Sequence, residues 1–109
     1  MYIKWVVRRH ENAQASYLAF YDAYLMESYR DQAGIPRQRT LHYLGNVRQF
    51  NDVFPPVERE MFLMKAHEIL QKIVDLTPAN QESIMQQLYL KVQPLSWAEV
   101  QHGFYHNLQ

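Results

Sequence analysis

The hydrophobic pattern changes period near the middle of the chain. Tyr2–Arg9 (YIKWVVRR) is aromatic and β-branched, which predicts a strand, and His10–Ser16 (HENAQAS) is a polar break that reads as a loop. In Tyr17–Arg30 (YLAFYDAYLMESYR) the tyrosines at 17, 21 and 29 share a period-two face, with Tyr24 on the other. Tyr17, Tyr21 and Tyr24 also stand at helical spacing, so the first part is open to either helix or strand, and strand is expected from Ala23 onward. Asp31–Pro36 (DQAGIP) supplies turn chemistry: an acidic start, a glycine suited to positive φ, and a proline. Arg37–Leu44 (RQRTLHYL) is the returning strand, closed by Gly45. Pairing Arg30 with Arg37 across that loop places Tyr24, Met26, Ser28, Arg30, Arg37, Arg39, Leu41 and Tyr43 on one face. Leu25, Glu27, Tyr29, Gln38, Thr40 and His42 then take the other.

After the Pro55-Pro56 break the period becomes helical. Phe62, Ala66, Ile69, Leu70 and Ile73 form one stripe, with Glu68 and Lys72 as an i,i+4 pair on the polar side. Thr77-Pro78 reads as an N-cap followed by proline at the first helical position, opening a second helix to about Lys91 with Ile84, Leu88 and Val92 inward. Ser96-Trp97-Ala98-Glu99 has capping-box spacing and opens a short third helix ending near Gly103. Strands followed by helices predict an α+β domain: a small antiparallel sheet of about three strands packed against two to three C-terminal helices. One domain is expected over 1–109, with a β-meander carrying a basic hairpin at 1–45 and a helical part at 55–104.

The composition narrows the chemistry. The 109 residues include no cysteine, which removes disulfides, thiolate nucleophiles and thiolate zinc sites. No apolar run approaches the roughly 18 residues of a membrane span, and the N-terminus carries charge inside its early apolar stretch, so a soluble cytoplasmic protein without a signal peptide is expected. The formal net charge is zero, but its halves are opposed. Residues 1–48 hold Lys4, Arg8, Arg9, Arg30, Arg37, Arg39 and Arg48 against Glu11, Asp22, Glu27 and Asp31, a net +3; residues 49–109 carry −3.

Arg30, Arg37 and Arg39 crowd one turn. Guanidinium groups on a β-ribbon can enter a major groove, fork onto guanine edges or clamp phosphates, and Gln38 and Thr40 add contacts from the alternate face. Charged residues at a hairpin tip also solubilise it and protect an edge strand, and that reading stands beside the first. Lys4, Arg8 and Arg9 extend the basic surface if the first strand lies beside the hairpin. Six of the eight tyrosines fall in residues 1–43. Aromatics among basic residues make stacking platforms for single strands, but packing on a half-buried sheet is the commoner fate, and no tyrosine is assigned to a site. His102 and His106 stand at i,i+4 without a third ligand and read as surface histidines. Glu58 and Glu60 point apart on a helix. Phosphate loops, HExxH and nucleophile elbows are absent, so neither an enzyme nor a cofactor or metal site is expected.

The stretch Tyr24–Gly45 (YLMESYRDQAGIPRQRTLHYLG) resembles the opening of bacterial insertion-sequence transposases of the DDE type. The elements that carry the resemblance are Glu27-Ser28-Tyr29-Arg30-Asp31, Arg37-Gln38-Arg39-Thr40 and Leu44-Gly45, with MYIKWVVRR similar to that family's first strand; it covers about the first 50 residues. It implies a sheet-bearing N-terminal region that precedes the catalytic domain and engages DNA. The sequence departs from the family after Gly45, where no room remains for an RNase-H-like domain and its three metal-binding acids, so transposition chemistry is not carried over. The outline of three strands, a basic hairpin and a helix also resembles the arm-type DNA-binding domains of tyrosine recombinases.

Two functions are therefore expected of different kinds. One is a nucleic-acid-binding module gripping duplex DNA through the 23–44 hairpin, with Arg30, Arg37, Gln38, Arg39 and Thr40 as contacts. The other is a protein-interaction module or homodimer, in which a basic face meets an acidic one and aromatics of Tyr17–Tyr24 form the interface core.

Overall fold

The computed structural model describes residues 1–9 and 18–108, the last six by backbone alone. Three strands, β1 (Tyr2–Arg9), β2 (Leu18–Arg30) and β3 (Pro36–Phe50), precede three helices, α1 (Pro56–Lys72), α2 (Pro78–Lys91) and α3 (Trp97–Leu108). The strands form one antiparallel sheet in the order β1-β2-β3, which gives the α+β arrangement expected from the change of period. The expected His10–Ser16 loop and Tyr17 lie outside the described residues; from Leu18 the chain is strand, which settles the helix alternative there.

Helices α1 and α2 cover one face of the sheet, α1 against β3 and α2 against β1. Alternation along β2 sends Ala19, Tyr21, Ala23 and Leu25 into the core, where they meet Leu44 and Val47 of β3 and the partly buried Ile3 and Trp5 of β1. The helical layer contributes Phe62, Leu63, Ala66 and Leu70 from α1 and Ile84, Met85 and Leu88 from α2, with Leu76 and Val92 beyond the helix ends. Tyr21 is buried, and its hydroxyl donates to Gln49 Oε1 at 3.0 Å. Of the expected α1 stripe, Ile69 and Ile73 lie at the margin of the core and Leu63 replaces them within it.

The caps form as the residues dictate. Thr77 accepts from the Asn80 amide at 3.1 Å ahead of Pro78. Ser96 and Glu99 close a reciprocal capping box, the Ser96 amide donating to Glu99 Oε1 at 3.0 Å and the Glu99 amide to Ser96 Oγ at 3.2 Å. Those bonds hold the Glu99 carboxyl below its ordinary range, with the Arg59 guanidinium assisting.

Three expectations are corrected. The hairpin loop is Asp31–Ile35, one residue shorter than expected, because Pro36 already pairs with Arg30. Asp31 closes it: its Oδ1 accepts from the Ala33 and Ile35 amides, both at 2.9 Å, while Gly34 takes φ 77°. The strand does not close at Gly45 but runs on to Phe50, since Gly45, at φ 120°, serves as an irregularity inside a strand rather than as its end. β3 then returns through Asn51 and Asp52, both at positive φ, in a two-residue turn that Phe50 and Val53 close with paired backbone bonds. Finally, α3 continues through Gly103 to Leu108, because an interior glycine costs a helix only about 1 kcal/mol and does not by itself stop it. The sheet therefore ends at residue 50 and the helical part begins at 56, with α3 extending past 104.

Candidate nucleic-acid interface

The shorter loop changes which arginines share a surface. Arg37 lies opposite Tyr29 and Arg39 opposite Glu27, while Arg30, Gln38 and Thr40 belong to the alternate set with Ser28 and Met26. A one-residue slip in register exchanges the faces, so Arg30 stands apart from Arg37 and Arg39 rather than beside them. Each arginine has an intramolecular partner that fixes the hairpin. Arg30 Nη1 donates to the Gly34 carbonyl at 2.9 Å, Arg37 Nε to Asp31 Oδ2 at 3.1 Å, and Arg39 Nε to Glu27 Oε2 at 2.8 Å. Arg39 also lies over the Tyr29 ring, 5.1 Å from its centroid. The amides of Ile35 and Ala33, with Arg37, hold the Asp31 carboxyl below its ordinary range. Stapling the turn is thus one purpose of the arginine cluster. These pairs are exposed and weak, leaving the Arg37 and Arg39 side chains more than half accessible.

The helix-free face of the sheet carries a second basic surface. Strand pairing aligns Tyr2, Lys4, Val6 and Arg8 of β1 with Phe20, Asp22, Tyr24, Met26, Ser28 and Arg30 of β2. On β3 the same face holds Gln38, Thr40, Tyr43, Asn46, Arg48 and Phe50. Its strand-borne charges are Lys4, Arg8, Arg30 and Arg48 against one acid, Asp22, which is buried although it lies on this face. Arg9, by contrast, alternates to the other face.

Asp22 ties the three strands together. Its Oδ2 accepts from Arg8 Nε at 2.7 Å, and its Oδ1 accepts from Arg8 Nη2 at 3.3 Å and from the Tyr43 hydroxyl at 2.8 Å. Burial alone would raise the carboxyl; the hydrogen bonds from Arg8 and Tyr43 and the charge of Arg8 outweigh it and hold the group below its ordinary value. The Tyr43 hydroxyl is pushed up to about 12 by burial and by the Asp22 carboxylate it serves, so it remains a donor at neutral pH. Tyr43 also packs on Tyr24, ring centroids 5.2 Å apart, and the Arg8 and Arg48 guanidinium groups lie over Phe20 and Phe50. Arg48 reaches Glu58 of α1 at the sheet margin. The result is a surface of cations backed by aromatic rings, with Nη1 of Arg8 not used on Asp22.

The sequence pattern alone does not mark Asp22, Tyr43 and Arg48 as site residues. A lone carboxylate inside the apolar run LAFYDAYLM is the signal for Asp22, since a buried acid requires partners. Arg48 lay hidden beyond a strand taken to end at Gly45. Of the aromatics proposed as an interface core, Tyr21 belongs to the hydrophobic core and Tyr24 is half-buried against Tyr43. His102 is exposed on α3, and the side chain of His106 lies outside the described residues. Among the described residues no group of three or more His, Cys, Asp or Glu could hold a metal ion, and no helix is long and apolar enough to cross a membrane.

Comparison of the chain with protein-family models, with curated proteins and with solved structures finds no match. The transposase resemblance therefore rests on the residues of the first half alone.

Proposed function

We propose that the chain is a nucleic-acid-binding module whose helix-free sheet face, continued along the 23–44 hairpin, lies on duplex DNA. The observation that supports this reading most is the charge of that face: four cations and a single acid that is itself buried and neutralised. Antiparallel ribbons and sheets enter a DNA groove, and guanidinium and ammonium groups on them meet phosphates, while Gln38 and Thr40 stand beside Arg30 as polar contacts to phosphates or base edges. The acidic helical layer stands on the opposite side and keeps its own charge from the polyanion. Arg37 and Arg39 flank the projecting hairpin and follow the backbone from its other side. The transposase resemblance points the same way, toward a DNA-engaging region.

The test is fluorescence anisotropy of a labelled random duplex across a salt series, with the native chain, Lys4→Ala/Arg30→Ala and Arg37→Ala/Arg39→Ala. Binding by the native chain should fall steeply with salt, and the Lys4→Ala/Arg30→Ala variant should flatten the log–log slope by about two, one for each phosphate contact removed. A loss confined to Arg37→Ala/Arg39→Ala would move the contact to the other side of the hairpin. Flat anisotropy with the native chain at low salt would refute the reading.

A further inference from the structure

Among the described residues neither outer strand of the sheet is paired along its outer edge, and the two edges are guarded differently. β3 begins with Pro36, carries Arg37, Arg39 and Arg48, and breaks register with β2 twice, skipping Leu41 and Leu44. Proline, charge and bulges are the devices that keep an edge from pairing with another chain. β1 carries Lys4, Arg8 and Arg9 but has neither proline nor bulge. Its eight residues pair with β2 in an unbroken ladder, its composition is aromatic and β-branched, and among the described residues no strand pairs with its other edge. Val7 leaves 44% of its surface exposed there.

We propose that β1 pairs antiparallel with β1 of a second copy of this chain, joining two three-stranded sheets into one of six. The sequence selects the register. A two-fold axis perpendicular to the sheet must pass through a residue pair, because an axis between residues would set the core face of one copy against the outer face of the other. An axis at Lys4 places two lysines opposite each other, and an axis at Val6 places Lys4 opposite Arg8; like charges in directly opposed positions disfavour both. Axes at Ile3 or Val7 avoid that but pair only three or five residues of β1. An axis at Trp5 pairs Tyr2–Arg8 over their full extent without opposing like charges: Tyr2 faces Arg8, Ile3 faces the exposed Val7, Lys4 faces Val6, and Trp5 meets its own copy. Arginine over tyrosine is a favourable pair, and Val7 gains an apolar neighbour. The outer faces of the two copies then run on as one surface.

Position 6 tests both the pairing and its register by sedimentation equilibrium of the full chain. The native protein should dimerise. Val6→Lys sets lysines opposite Lys4 at two symmetric places and should raise the dimer Kd by roughly tenfold, whereas Val6→Glu, which also faces Asp22 within its own copy and so lowers the melting point of the fold, creates two cross-strand ion pairs with Lys4 and should lower the dimer Kd, more so at low salt. Because the native chain lacks cysteine, Lys4→Cys/Val6→Cys should oxidise to a covalent dimer while Lys4→Cys alone does not. Circular dichroism melts of each variant separate loss of pairing from loss of fold. A native chain that stays monomeric at all concentrations overturns the proposal, and so do equal effects of the Lys and Glu substitutions or cross-linking by Lys4→Cys alone.

Discussion

Replacing Asp22 by asparagine probes the network that joins the three strands. The substitution keeps the shape and one acceptor but removes the charge that receives Arg8 and Tyr43. Asp22 is 5% exposed, so its bonds are largely protected from water, whereas the Arg8 side chain is 57% exposed and regains water when its partner is lost. Tyr43 is itself 43% exposed, so desolvation falls mainly on the new amide, whose NH2 group faces donors rather than acceptors. Loss of charge-assisted bonds at a buried acceptor gives an expected destabilisation of about 1–3 kcal/mol. For a domain of this size that corresponds to a melting point lowered by roughly 4 °C or more. The pH dependence fixes the mechanism. The folded carboxyl titrates below its ordinary value of 3.8, so the stabilisation is fully present above that value and is lost as pH falls through the lower folded pKa. Urea denaturation of both proteins should show a midpoint gap that is constant near neutrality and closes toward strong acid. Equal midpoints at pH 7, or a gap that persists unchanged in acid, would show that the carboxylate does not stabilise the sheet as described.

Two further substitutions address the backbone. Gly45→Ala places a Cβ 3.7 Å from the Phe62 ring, an ordinary contact, so the cost comes from φ 120° alone; about 1–3 kcal/mol should be lost in chemical denaturation, and an unchanged midpoint would mean the strand re-forms without that conformation. Thr77→Ala removes the cap on α2 and should cost about 1 kcal/mol, with Thr77→Ser retaining most of it; equal stability of the Ala and Ser variants would show the hydroxyl to be irrelevant.

Element types were legible because long segments keep one period: the aromatic, β-branched β1 and the stripes of α1 and α2 could hardly be read otherwise. The caps at Thr77 and Ser96 were legible for the same local reason, since side chain and backbone partner lie three residues apart. What failed was register. Nothing in DQAGIP itself distinguishes a loop of six from one of five; the choice depends on Asp31 reaching the Ile35 amide, and one position moves Arg30 away from Arg37 and Arg39. Gly45 misled in a related way, because a glycine that ends a strand and one that kinks it look alike until its pairing with Ala23 shows the strand running on to Phe50. The Asp22 network was out of reach because its partners come 14 residues before and 21 residues after it, and only the completed sheet brings them together.

The β1-β2-β3 order has a consequence for how the chain reaches its fold. Every strand is bonded to its immediate predecessor in sequence, and α1 packs on β3, the strand that leads into it, so most of the native pairing closes short loops. Loop-closure entropy grows with span, and topologies built from neighbouring segments assemble quickly. The long closure is that of α2 on β1, which brings the last third of the chain back to its beginning. Until it is made, β1 is held by β2 and by the contact of Trp5 with Phe62 of α1, and the step that completes the hydrophobic core covers the inner face of β1, a surface separate from the edge along which a second copy would pair.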